Sequence, residues 1–175
     1  MLIYIVANML VNYRIYNCNG SKIIASGVYA EKIKMARKLF TKPINFPEPE
    51  YYIKLTQCHN AWANIDKSIV IIAEPIVKDY SPKELAGILG HELAHIQEHL
   101  QKGKPSEHWK IDVMGADLTN KDIITTKINR ILKECENIFE NNKLLMYVFP
   151  LSYLEHALTR YDFLFRLEMV NSHVK

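Results

Sequence analysis

The sequence points to an α+β fold: a small, mostly antiparallel sheet packed on one long helix, with additional helices closing the other side. Three observations carry this. Strand-like segments fall in the N-terminal part, where Asn12 to Cys18 and Lys22 to Ser26 flank a turn-favouring Asn19-Gly20 and Ser68 to Ala73 is a short apolar run. From Ser81 onward the apolar residues recur at helical rather than alternating spacing. No tract rich in Pro, Gly or Ser splits the chain, so residues 1–175 read as a single domain.

The elements follow in order. Met1 to Val11 is apolar, lacks a basic leader and runs directly into polar residues, so it reads as a buried strand or short helix rather than a secretory signal or membrane span. Asn12 to Cys18 and Lys22 to Ser26 flank Asn19-Gly20, a pair that favours the tight turn of a hairpin. Ala30 to Phe40 is a short amphipathic helix whose wet face carries Lys32, Lys34, Arg37 and Lys38. Pro43, Pro47 and Pro49 crowd the loop before the strand at Tyr51 to Leu55. Asn60-Ala61-Trp62-Ala63-Asn64 then leads into the apolar strand Ser68 to Ala73.

The next helix announces its own start. Ser81 is a plausible N-cap, Pro82 suits the first helical position, and Glu84 places a carboxylate in the first turn. Leu85, Ile88, Leu89, Leu93 and Ile96 form its apolar stripe. Gln101 to Pro105 reads as a loop, after which Ser106 can cap a second helix running to Asp117. Ile124, Ile128, Ile131, Leu132, Cys135, Ile138 and Phe139 define a long amphipathic helix, with Lys127, Arg130, Lys133, Glu134 and Glu136 on the opposite side. Leu144 to Leu151 is too short to cross a bilayer and reads as core packing, and a last helix carries Tyr153, His156 and Arg160.

Composition narrows the function. With 49% hydrophobic and 23% charged residues the chain can build a proper core. The net charge of +3 is spread along it, so nothing calls for nucleic-acid binding, and no motif encodes a partner or an oligomeric state. The 3 cysteines, Cys18, Cys58 and Cys135, are widely spaced and form no C-x-x-C pair, which argues for reduced thiols and a cytoplasmic location.

The chemistry is concentrated in His91-Glu92-Leu93-Ala94-His95. Two imidazoles four residues apart project from one helical face, where they can hold a zinc ion, and the carboxylate between them can act as general base on a water that the metal activates. Catalytic zinc usually takes three protein ligands, so a third donor is needed, and Glu107, His108, Asp112 and Asp117 all stand on the following helix. His108 and Asp112 lie four apart, so one can bind metal while the other orients a ligand imidazole through its remaining nitrogen.

From Ala30 to Gly115 the chain resembles the HtpX and CAAX prenyl endopeptidase family of gluzincin metallopeptidases, which implies a zincin-like domain. The order of elements is the same: amphipathic helix, strand, Asn60-Ala61-Trp62, apolar strand, HExxH helix, and a later helix. Aligned on that later helix, His108 stands where the family has its glutamate ligand, Asp112 on the family's aspartate, and Gly115 on its small residue. The resemblance therefore implies a metal set of His91, His95 and His108, with Asp112 behind a ligand, Glu92 as the catalytic base and Asn60 and Ala61 as substrate contacts. His99 would be at most a neighbour of the ligands. His156, with Tyr153 and Arg160 near it, is a candidate oxyanion donor.

The activity so implied is zinc-dependent endopeptidase cleavage of a peptide or unfolded protein. Two alternatives stand beside it. One is a protease of the SprT-like type acting on DNA-associated proteins, although that group's zinc-ribbon cysteines are missing here. The other is a non-catalytic binding or effector module on the same scaffold, against which the intact Glu92 argues.

Overall fold

The computed structural model describes residues 14–18, 21–56, 59–103, 106–141 and 150–174. The N-terminal apolar run, the Asn19-Gly20 turn and most of the Leu144 to Leu151 run lie outside these residues. In order come strands β1 (Arg14–Cys18) and β2 (Ser21–Ala25), helix α1 (Gly27–Arg37), strands β3 (Glu50–Lys54), β4 (Ala61–Asn64) and β5 (Ile69–Ala73), then helices α2 (Glu74–Asp79), α3 (Pro82–Lys102), α4 (His108–Leu118), α5 (Lys121–Asn141) and α6 (Pro150–His173).

The five strands form one sheet in the order β1-β2-β3-β5-β4. It is mixed, not mostly antiparallel as the sequence suggested. β1 and β2 are an antiparallel hairpin with Cys18 opposite Ser21. β2/β3 and β3/β5 run parallel, and β4/β5 closes the sheet as an antiparallel pair. The cause is the connection: α1 carries the chain back to the starting end between β2 and β3, and such a crossover makes the two strands parallel. β5, not β4, docks on β3, which leaves β4 as the edge strand.

Ser26 ends the hairpin and caps α1 by accepting from the Tyr29 amide, so the helix starts at Gly27, ahead of the expected Ala30. Arg37 does not join Lys32, Lys34 and Lys38 on the wet face of α1. It is buried, because its guanidinium forms a two-point pair with Glu48 in the proline-rich loop, Nε–Oε1 at 2.7 Å and NH2–Oε2 at 2.9 Å.

α3 is the central element. Ser81 and Glu84 make a reciprocal capping box, Glu84 N–H to Ser81 Oγ at 3.2 Å and Ser81 N–H to Glu84 Oε2 at 2.6 Å, with Pro82 in the first turn. The helix ends at Gly103, which takes the left-handed conformation (φ 66°) and returns its N–H to the His99 carbonyl. One side of α3, with Leu85, Leu89, Leu93 and Ile96, packs on a core that includes Ile23, Tyr51, Val70 and Ile72 from the sheet and Ala30 and Ile33 from α1. Its other side meets α4 and α5 at close range. A Cβ on Gly87 would lie 2.6 Å from Lys127 Cβ, and one on Gly115 would lie 3.1 Å from the Gly90 carbonyl carbon. A second core of Ala116, Ile124, Ile128, Leu132 and Val170 joins α4, α5 and α6. Among the described residues no helix is long and apolar enough to cross a membrane.

Candidate metal centre and active site

Because α3 is walled on both sides, the face between those walls carries the polar groups. His91 and His95 stand one turn apart there, and α4 begins with His108 beside them. One ring nitrogen from each of the three lies within 4.8 Å of the other two. His91 and His108 are nearly parallel (7°), with His108 Nδ1 at 3.4 Å from His91 Nε2. His95 stands edge-on to both, at 89° and 83°.

The donor geometry suits a small divalent ion. Nitrogens bound tetrahedrally to one zinc at about 2.1 Å are about 3.4 Å apart, and the His91–His108 pair already meets that spacing. Burial lowers the pKa of all three imidazoles, that of His95 to about 4, assisted at His95 by His108 and at His108 by Arg166. Each is therefore neutral near pH 7, the form that donates to metal.

Behind His91 lies a network that local patterning does not reveal. Asp112 is fully buried and accepts from His91 Nδ1 at 2.7 Å, from Lys127 Nζ at 2.7 Å and from Arg166 Nε at 2.6 Å. Burial alone would raise its pKa, but the Lys127 ammonium, the His91 bond and Arg166 outweigh that and hold it well below the usual carboxylate range. An ionised Asp112 only accepts hydrogen bonds. The His91 proton must then sit on Nδ1, which turns the lone pair of Nε2 toward the other imidazoles.

Glu92 is buried beside this cluster and accepts a hydrogen bond from the Ala63 backbone amide. Burial pushes its carboxyl up to about 7, partly offset by Lys127 and by the Ala63 bond. A cleft of about 610 Å³ opens over the three histidines and Glu92, bounded by residues 59–63 on one side and by Lys127, Phe163 and Arg166 on the other. Among the described residues no strand pairs with the outer edge of β4, which borders this cleft; of its outward amides, that of Ala61 donates to Asn60 Oδ1 at 2.9 Å and that of Ala63 to Glu92. The Ala73 N–H to Asn60 carbonyl bond, 3.0 Å, marks a hydrogen-bonded pair. Antiparallel alternation then directs the backbone groups of Ala61 and Ala63 away from β5. Asn60 and Ala61 both line the cleft.

The other candidates fall elsewhere. Glu107 is exposed and bonded to Trp109 Nε1 and Lys110, and Asp117 is exposed and paired with Lys42. His99 does not line the cleft. Arg160 pairs with Glu136 at 3.4 Å, while the side chains of Tyr153 and His156 lie outside the described ones. Ser106 does not cap α4; the N-cap position belongs to Glu107, whose side chain makes no capping bond, and the Ser106 amide donates to Glu98 instead.

Lys127 is a correction. Its charged neighbours on α5 put it on the wet side in the sequence reading, yet it is 2% exposed and reaches Asp112. The available signal was Gly87, a mid-helix glycine marking close approach by another element. Arg166 was missed as well; its sign was a single cation following the apolar run Phe163-Leu164-Phe165.

Comparison with known proteins agrees with this geometry. The sequence profile of Peptidase family M48 matches residues 30–154. A Protease HtpX homolog from Methanocaldococcus jannaschii is 41% identical over 54 residues, 29% of this chain and 19% of the relative. Homologs of the same description from Persephonella marina and Desulfatibacillum aliphaticivorans are 39% and 41% identical over 54 residues, covering 29% of this chain and 19% and 17% of theirs. The matched stretch thus spans under a fifth of the length of these curated relatives. No solved structure matches. With the profile extending over most of the chain, including both helices that carry the histidine cluster, the protein belongs to the HtpX-like M48 family of metallopeptidases.

Proposed function

We propose that this protein is a zinc-dependent metalloendopeptidase, with His91, His95 and His108 as the metal ligands and Glu92 as the general base. The observation that carries the reading is the convergence of three neutral imidazoles beside a buried carboxylate, in a cleft bordered by the outer edge of β4. A zinc ion in that set would supply Lewis-acid polarisation of the attacking water and the scissile carbonyl.

The chain's own residues do the rest. Asp112 fixes the tautomer and ring plane of His91. Glu92, oriented by the Ala63 amide, takes a proton from the attacking water onto its carboxylate and returns it to the departing amide nitrogen. The outer edge of β4, with Asn60 and Ala61, receives an extended peptide as an added strand, so the main chain is gripped with little demand on side-chain identity. Three neutral ligands leave the ion more positive than two histidines and a carboxylate would, which favours a more acidic attacking water.

Membership of the M48 family speaks against the SprT-like alternative. The test is Glu92→Gln. It should keep one zinc per chain and lose at least about 100-fold in peptide cleavage; unchanged cleavage would remove Glu92 from the chemistry.

A further inference from the structure

The third imidazole comes from the first residue of a helix whose N-cap side chain makes no capping bond. Such a start has little anchoring of its own, because no side chain caps it and helix ends fray. The body of α4 is held by Asp112 and by the Gly90–Gly115 contact, but both lie at least one turn beyond His108.

One bond reaches further upstream. Glu98, three residues after His95 on α3, is 1% exposed although it is a carboxylate. Its Oε2 accepts the Ser106 amide at 2.9 Å, the Ser106 hydroxyl also donates to it, and its Oε1 accepts Lys102 Nζ at 3.2 Å. Burial would raise its pKa, but the Ser106 and Lys102 bonds outweigh that and keep it ionised. A buried carboxylate bonded to a backbone amide holds that amide firmly, since breaking the bond leaves the charge with only the exposed Lys102 ammonium to meet it. Ser106 is two residues before His108.

We propose that Glu98 is a positioning residue for the third metal ligand: it ties Ser106 to the helix that carries His91 and His95, so that His108 is held in register with them before metal arrives. This rests on the reading of His108 as a ligand. The same helix then supplies two ligands directly and the placement of the third indirectly. The rival account is that Glu98 only stabilises the helix connection, with His108 placed by the body of α4 alone.

A double-mutant cycle on cobalt(II) affinity separates them, measured on the full chain by competition with a chromophoric chelator, with thermal unfolding alongside. Glu98→Ala should weaken cobalt binding by about 10- to 100-fold and change the visible spectrum of the bound ion in the same sense as His108→Ala. In the double variant the two losses should overlap, leaving affinity no lower than in His108→Ala alone. Glu98→Gln, which keeps an acceptor for the Ser106 amide, should recover most of the affinity. Should Glu98→Ala not fold, Ser106→Pro removes the same bond from the other partner and should show the same overlap. Native cobalt affinity in Glu98→Ala or Ser106→Pro, or losses that add in the double variant, would overturn the proposal while leaving the ligand assignment intact. Native affinity in His108→Ala would instead overturn the ligand assignment and this inference with it.

Discussion

Asp112 shows how much of the site hangs on one side chain. Its carboxylate joins α3, α5 and α6 through His91, Lys127 and Arg166. Without it, buried Lys127 loses its counter-charge, buried Arg166 keeps only the exposed Asp162 at 3.4 Å, and His91 loses the partner that sets its tautomer. Asp112→Ala should therefore cost about 3–5 kcal/mol in chemical denaturation, and metal affinity in the folded fraction should fall about 10- to 100-fold. A variant with native stability and native affinity would mean that the network is ornamental. His91 and His95 were legible because a spacing of four places both on one helical face, and Glu92 because the HExxH pattern sets a carboxylate between them. His108 was reached through family resemblance, since no local rule distinguishes it from Glu107, Asp112 or Asp117. Lys127 and Arg166 were not legible, because their partner is 15 and 54 residues away and a charged residue on a helix ordinarily faces water.

α3 combines features that sequence encodes well with others it encodes poorly. The capping box is local, so Ser81, Pro82 and Glu84 could be read directly, and Ser81→Ala should lower stability by about 1 kcal/mol in urea denaturation. The glycine contacts are tertiary. In Gly87→Ala the new methyl would stand 2.6 Å from Lys127 Cβ and 2.9 Å from the Ile123 carbonyl, so α5 must retreat. Helix propensity alone would make this substitution favourable by up to about 1 kcal/mol, whereas overpacking should cost about 1–3 kcal/mol. Net destabilisation is expected, measured by the urea midpoint; a stabilised Gly87→Ala would show that α3 and α5 do not meet at this close range. The strand segments were visible from composition and turns, but the parallel pairings depend on which strand the chain revisits after α1, and alternation within a strand carries no trace of that.

Across the whole molecule the histidine cluster is where separately packed parts meet. α3 faces the sheet core on one side and helices on the other, and α6, mostly beyond the segment matched by the family profile, closes the cleft with Phe163 and Arg166. An ion bound at this junction stabilises the folded state as a unit. Free zinc at 100 times its dissociation constant adds about 2.7 kcal/mol. For a chain of this length that is a rise of roughly 5–10 °C in the unfolding midpoint, which EDTA should reverse. A chelator-insensitive midpoint in zinc-loaded protein would contradict the coupling. The overall α+β organisation was readable because it follows from where strand-like and helical periodicities lie; the ion-pair junction was not, because it is assembled from helices distant in sequence. The most direct test is zinc stoichiometry by elemental analysis after reconstitution and exhaustive dialysis. One zinc per chain is expected in the native protein and in Glu92→Gln, and well below one in His108→Ala. A native protein that retains no stoichiometric zinc, or a His108→Ala variant that retains it fully, would contradict the three-histidine centre.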